Sequence, residues 1–269
     1  MTPRLKREEL RELLVQEGVA LLLEEGVQVG LGSITFPRVF ERVEAATGRR
    51  VTAASVYERL WASQSDFQWE VLAELVEGAS TLDDRTRRRV GVILAGADRS
   101  SESGRLGCLR ELCQVVVQQH VIEGSNRDHY RIVLAAVAAV SAADDPGDEA
   151  GSPLGVERVR QALSDYLERD TELLLDLYNE IGATLGLRTR SPIELRQFAL
   201  AVGALGEGVA LRLKYFPEYA LPIVVPTSPG RDDVEMWSLV GFGVEAIVNA
   251  MIEVDPDWPG VESGTPPGT

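Results

Sequence analysis

Residues able to make or break covalent bonds are scarce in this chain, and none is spaced to do so. There are two histidines, His120 and His129, and two cysteines, Cys108 and Cys113. The cysteines stand five apart in a helical stretch, on different faces, which suits neither a disulfide framework nor a zinc site. No Gly-x-Ser-x-Gly elbow occurs, so no nucleophile–base pair is readable. Asp144, Asp145 and Asp148 form an Asp-Asp-x-x-Asp spacing, with which helical prenyl-chain enzymes hold Mg²⁺. Such carboxylates need a helix, and Pro146 and Gly147 break one, so a solvated loop is the better reading. No catalytic residue, metal or cofactor is expected. What stands out instead is a run of donors: Arg49, Arg50, Thr52, Ser55, Tyr57 and Arg59. Their chemistry is to hold a partner. Hydroxyls donate to phosphate oxygens, and a guanidinium pairs with a phosphate or forks onto a guanine edge.

Positioning those donors is the task of residues 33–72. Ser33 or Thr35 can cap a helix that has Pro37 in its first turn and runs through Phe40, Val43 and Ala46 to a stop at Gly48. Arg49, Arg50 and Val51 make a short turn, and Thr52 caps a brief helix, TAASVYERL. The break ASQS precedes a longer helix beginning near Asp66. Helix, tight turn, short helix is the pattern of a helix-turn-helix, in which the first helix braces a second that enters the major groove. Gly48 supplies the small turn residue, Thr52, Ala53, Ala54 and Ser55 the small or polar outer face, and Val51 and Val56 the inward packing.

At these residues the chain resembles the TetR family of transcriptional regulators. Gly26 ends the first helix, Thr35 opens the second, and Val51-Thr52 stand for the family's Val-Ser. Ala54-Ser55-Val56-Tyr57 stand for its Gly-Thr-Leu-Tyr core, Arg59 takes its basic position, and Leu60 replaces an aromatic. Residues 63–67, SQSDF, are similar to the Ser-Lys-Glu-Asp-Leu step after one extra residue, with Gln64 where the family has a phosphate-contacting Lys. A second patch, FALAVGALGEGVALRLKYFPE at 198–218, resembles the penultimate helix that lies in the family's dimer interface. A last helix carrying Trp237, Leu239, Val240, Val244, Ile247 and Met251 would be its partner.

The resemblance implies an all-α chain: a three-helix DNA-binding domain over 1–78, then a helical effector-binding and dimerisation domain over 79–254. It implies a homodimer, joined through the last two helices, on a near-palindromic double-stranded operator. Thr35, Arg49, Arg50, Thr52, Ala53, Ser55, Tyr57 and Arg59 are the implied DNA contacts. An unidentified small-molecule effector would release a repressor. Its pocket should be apolar with a few polar groups. His120, Tyr178 and Trp237 are the candidates, from a wider set with His129, Tyr130 and Tyr166; each such residue is more often an ordinary core or surface residue than a ligand contact.

The remaining elements are read from apolar spacing. Helices are expected at about 6–25, 83–97, 104–123, 126–143, 154–185, 192–214 and 234–253. DDPGDEAGSP at 144–153 reads as a loop, and the Pro-rich stretch 217–230 as non-helical. LPIVV is apolar enough for a strand but short and Pro-flanked. The tail 255–269 is expected to be disordered.

The formal net charge is -15. A strongly acidic chain argues against nucleic acid, but the distribution qualifies this. Residues 1–62 hold nine basic and nine acidic side chains, so the whole excess lies beyond them. An acidic body would repel DNA and confine contact to one end. The N-terminus has no apolar signal core, and no apolar run approaches the roughly 18 residues of a spanning helix. A soluble cytoplasmic protein with no membrane contact is expected. The rival reading is a protein-interaction module of the same fold whose DNA contact has decayed.

Overall fold

A computed structural model describes residues 6–26, 31–57, 59–79, 84–123, 128–143, 153–213, 216–226 and 233–260. The chain is predominantly helical, in two compact units. One comprises Met1–Ser80 with Arg131–Glu168, the other Thr81–Tyr130 with Arg169–Thr269. No described helix is long and apolar enough to cross a membrane.

The first unit opens with α1 (Arg7–Glu25), which Gly26 ends at φ 86°. Helix α2 (Phe36–Thr47) follows, with Thr35 at the N-cap position and Pro37 in its first turn. It stops at Gly48, in the left-handed region at φ 67° and ψ 14°, where a side chain costs free energy and glycine does not. Then come α3 (Ala53–Tyr57) and α4 (Gln64–Glu77). Ser63 caps α4 by accepting the Asp66 N–H at 3.1 Å. The core is Leu14, Leu22, Val39, Val43, Val56, Phe67 and Leu72, closed by Ile132, Ala136 and Val140 of α7 (Asp128–Ala143). Val156, Val159 and Tyr166, from the first half of α8 (Pro153–Leu185), complete it. Residues 79–254 therefore do not form one domain, because α7 and the start of α8 bury their apolar stripes against the N-terminal helices.

The second unit holds α5 (Asp84–Gly96), α6 (Glu102–Glu111) and the second half of α8. It also holds α9 (Leu195–Leu213) and α10 (Leu239–Met251). Helix α6 does not simply run on to residue 123. Over Leu112–Val117 and Gln119–Glu123 its hydrogen bonds widen to the π pattern.

Two short antiparallel ribbons depart from the helical expectation. Strand β1 (Leu187–Thr189) pairs with β4 (Ile252–Val254), Leu187 facing Val254. Strand β2 (Ile223–Pro226) pairs with β3 (Val234–Trp237), Ile223 facing Trp237. The last helix thus begins at Leu239, not near 234; Ser238 caps it by accepting the Gly241 N–H at 3.0 Å.

The tail expected from Asp255 onward is ordered at its start. The Asp255 N–H donates to the Gly186 carbonyl at 2.9 Å, and Trp258 Nε1 to the Ala183 carbonyl at 3.1 Å. Arg105 lies 4.7 Å over the Trp258 ring. The tail from residue 261, the acidic loop 144–152 and residues 227–232 lie outside the described residues.

Candidate nucleic-acid interface and ligand cavity

Helix α3 has only five residues, too few to stand without help. Its help is hydrophobic on one side and polar behind. Val56 is fully buried, and Val51 packs against the same core. Phe36 stacks on Phe67 at 4.9 Å and meets the Tyr57 edge at 5.1 Å, so the start of α2 braces the end of α3. Trp61 meets Phe67 at 4.8 Å, and its Nε1 donates to Glu70 Oε2 at 2.7 Å. That carboxylate is buried and also receives Arg11 through two nitrogens, at 2.7 and 2.8 Å. One glutamate of α4 therefore ties α1 and the segment after α3 together.

The acidic side chains of this unit are spent unevenly. Glu25 pairs with Arg38, and Glu17 and Glu24 with Arg42 at 2.9 and 2.7 Å. Among the described residues, Arg49, Arg50 and Arg59 have no ion-pair partner. Glu41 and Glu44 are exposed on α2. A neutral count thus conceals free cations flanking α3. Thr52, Ala53 and Arg59 are exposed, as is Arg50; Arg49 is half-buried. Tyr57 keeps 46% of its surface exposed although its ring packs on Phe36.

Thr35 occupies the N-cap of α2 without making a side-chain cap bond. Its place is taken by Gln64, whose Oε1 accepts the Phe36 N–H at 3.2 Å, while Gln68 donates to the Ile34 carbonyl at 2.8 Å. Of the expected contacts, Thr35, Arg49, Arg50, Thr52, Ala53, Tyr57 and Arg59 lie on or beside the α2–α3 segment with exposed or half-exposed side chains. The Ser55 side chain lies outside the described residues.

The second unit encloses a cavity of about 150 Å³. At roughly 10–15 Å³ per water, that is space for one organic molecule of modest size. Its wall is mainly apolar, with Val116, Leu174, Leu177, Phe198, Val202 and Val248. The π segment turns Cys113, Val117 and His120 onto it as well. Close approach of α10 keeps that wall in place: a Cβ on Gly241 would lie 2.8 Å from the Cys113 carbonyl oxygen.

His120 and Tyr178, two of the three residues read from sequence as effector contacts, line the cavity. His120 Nδ1 lies 3.4 Å from Thr86 Oγ1. Tyr178 meets Phe198 edge-on at 5.0 Å, and its burial pushes the phenol pKa upward. Trp237 does not line the cavity. It is 0% exposed, donates to Glu235 Oε2 at 3.0 Å and lies under Arg110 at 5.1 Å, so it is a core post. Tyr166 is buried in the core of the first unit, and the side chains of His129 and Tyr130 lie outside the described residues.

Two carboxyls on the cavity were not singled out in sequence: Asp170 of α8 and Glu207 of α9. Burial, then the charge of Glu207, pushes the Asp170 pKa up to about 6. Burial raises that of Glu207 as well. The Cys113 thiol is pushed up to about 12 by burial, so it stays protonated and inert as a nucleophile.

Compared with protein-family models, curated proteins and solved structures, the chain finds no match.

Proposed function

We propose that the protein is a DNA-binding transcriptional regulator of TetR-like build, with α2 and α3 acting as a helix-turn-helix and the second unit as effector domain. The observation that carries this reading is the clustering of three arginines without ion-pair partners, Arg49, Arg50 and Arg59, around an outward-facing α3, while Arg11, Arg38 and Arg42 of the same unit are ion-paired. Surface arginines left without carboxylates beside an exposed tyrosine are suited to phosphate oxygens. Thr52 and Ala53 then face the groove floor. Gln64 is occupied at the α2 N-terminus, so the phosphate contact that the family takes from a Lys here falls to the flanking arginines.

Pairing into a homodimer is supported by a continuous exposed stripe on each of the last two long helices. Leu200, Ala204 and Leu211 recur at helical spacing on α9, and Leu239, Phe242, Ala246 and Ala250 on α10. Two such stripes fit the four-helix contact of a two-fold dimer. The effector acts by binding better to the conformation that does not hold DNA; equal affinity for both would shift nothing.

The test is fluorescence anisotropy with DNA from just upstream of the protein's own gene, at two salt concentrations, beside random DNA. Sequence-selective binding that weakens steeply with salt is expected. Arg49→Ala, Arg50→Ala and Arg59→Ala should each flatten the salt dependence by roughly one unit of log–log slope. Affinity no better than for random DNA at both salts would remove the regulator reading and favour an interaction module.

A further inference from the structure

The cavity of the second unit has more to say than that something fits in it. Three of the polar groups that line it have no hydrogen-bond or ion-pair partner among the described residues: the Tyr178 hydroxyl and the carboxyls of Asp170 and Glu207. Asp170 Oδ1 is shielded from solvent with nothing to accept from. Tyr178 is half-buried and lines the same cavity. Buried polar groups are nearly always satisfied, and each exception calls for a reason.

The charge balance of the wall gives that reason a sign. Arg188, the one lining guanidinium, is turned to Glu253 at 3.0 Å and Asp255 at 3.3 Å. His120 is engaged with Thr86. Neither neutralises the two carboxyls. Most of the rest of the wall is hydrocarbon and aromatic, and it includes the rings of Tyr178 and Phe198, whose π-systems attract a cation and do not repel an alkyl chain. An anion would meet two like charges in a medium of low dielectric. A neutral molecule would leave Asp170 uncompensated.

We infer that this cavity is a binding site for an apolar organic cation, an alkyl or aryl amine class of ligand, with Asp170 and Glu207 taking its charged end and Tyr178 and Phe198 its flank. This deepens the effector role proposed above and rests on it for the regulatory consequence, not for the binding itself. Glu207 is exposed as well as lining the wall, which places it at the mouth. The charged end enters last or stays nearest that edge, and the apolar end lies toward Leu177 and Val248.

The experiment is calorimetric titration of the full-length protein, without DNA, at about pH 7.5, using a matched trio: phenylbutylamine, phenylbutanol and phenylbutyrate. The amine should bind roughly ten- to a hundredfold tighter than the alcohol, the return expected from hydrogen bonds to a charged group. The carboxylate should bind weakest. In an Asp170→Asn/Glu207→Gln variant, checked by its melting curve, amine and alcohol should bind alike. Equal binding of amine and alcohol by the wild type, preference for the carboxylate, persistence of the amine preference in the variant, or no binding of any of the three would each overturn the assignment. Amine preference in a protein that fails the DNA test leaves the site standing and removes only the regulatory role. Operator binding without amine preference does the reverse.

Discussion

At the scale of single residues, the informative side chains are those that the fold leaves unsatisfied. Asp170 keeps a carboxylate in a mainly apolar wall, and that costs stability whenever it is ionised. Its folded pKa of about 6 lies above the ordinary 3.8. The folded protein therefore holds this proton more tightly than the unfolded chain. The group favours folding at low pH, and the benefit is lost as pH rises from about 4 to about 6. Asp170→Asn removes that titration, so its stability relative to wild type should climb across this window by up to about 3 kcal/mol and be flat above it. Chemical denaturation of both proteins between about pH 4 and 8 reads this directly, and a parallel pair of curves would refute it. The titratable and charged groups lining the cavity with Asp170 are Glu207 from α9, Cys113 and His120 from the π segment, Arg188 from β1 and Tyr178 on its own helix. Glu207 supplies the charge that adds to burial. Sequence reading missed Asp170 because an acid on an amphipathic helix looks like a solvated face. The signal was in the register: Asp170 stands four, seven, eight and eleven residues before Leu174, Leu177, Tyr178 and Ile181 on one stripe.

At the scale of elements, the helix boundaries that a local signal sets were readable, and the pairings that only tertiary structure sets were not. Gly26 and Gly48 end their helices where a left-handed or otherwise open backbone is required, and Ser63 opens α4 with a hydrogen bond to its own third residue. Gly48 makes a sharp case, because nothing lies within 4 Å of where its Cβ would be. Gly48→Ala should then lose only the backbone preference, about 1 kcal/mol, visible as a small drop in melting temperature with the DNA-reading surface intact. Glu70 is the opposite kind of residue. Glu70→Ala leaves the Trp61 N–H and Arg11 without their acceptor and should cost about 2–3 kcal/mol. It should also loosen α3, lowering DNA affinity more than Gly48→Ala does; amide exchange along 53–61 measures that loosening. The β2–β3 ribbon escaped because four-residue strands carry too short a period, and their partnership spans a gap that local pattern cannot bridge. Trp237, read as a ligand contact, is the anchor of that ribbon in the core.

At the scale of the whole molecule, the proposed DNA contact has to be reconciled with a chain that carries -15. The glutamates of α1 neutralise Arg38 and Arg42, which hold α2, and none is spent on Arg49, Arg50 or Arg59. The acidic remainder then works against any other mode of approach, since its field repels phosphate over about a Debye length. In the proposed regulator a single head would bind weakly, with three unpaired arginines against a duplex. Two heads joined through α9 and α10, as proposed, would double the number of phosphate contacts in one binding event. On that proposal dimerisation is a condition of useful affinity. Leu200 is 52% exposed and Phe242 37%, on the two stripes that would meet. Leu200→Glu/Ala246→Glu places like charges on both, at positions exposed in the monomer. The variant should keep its melting temperature within a degree or two, on the scale of surface substitutions. It should sediment at half the mass of the wild type, bind DNA with about half the salt slope, and lose affinity by several decades at physiological salt. A variant that becomes monomeric yet holds the operator as tightly as the wild type would mean that one head suffices, and the reading of the stripes as part of the DNA-binding machinery would fail with it.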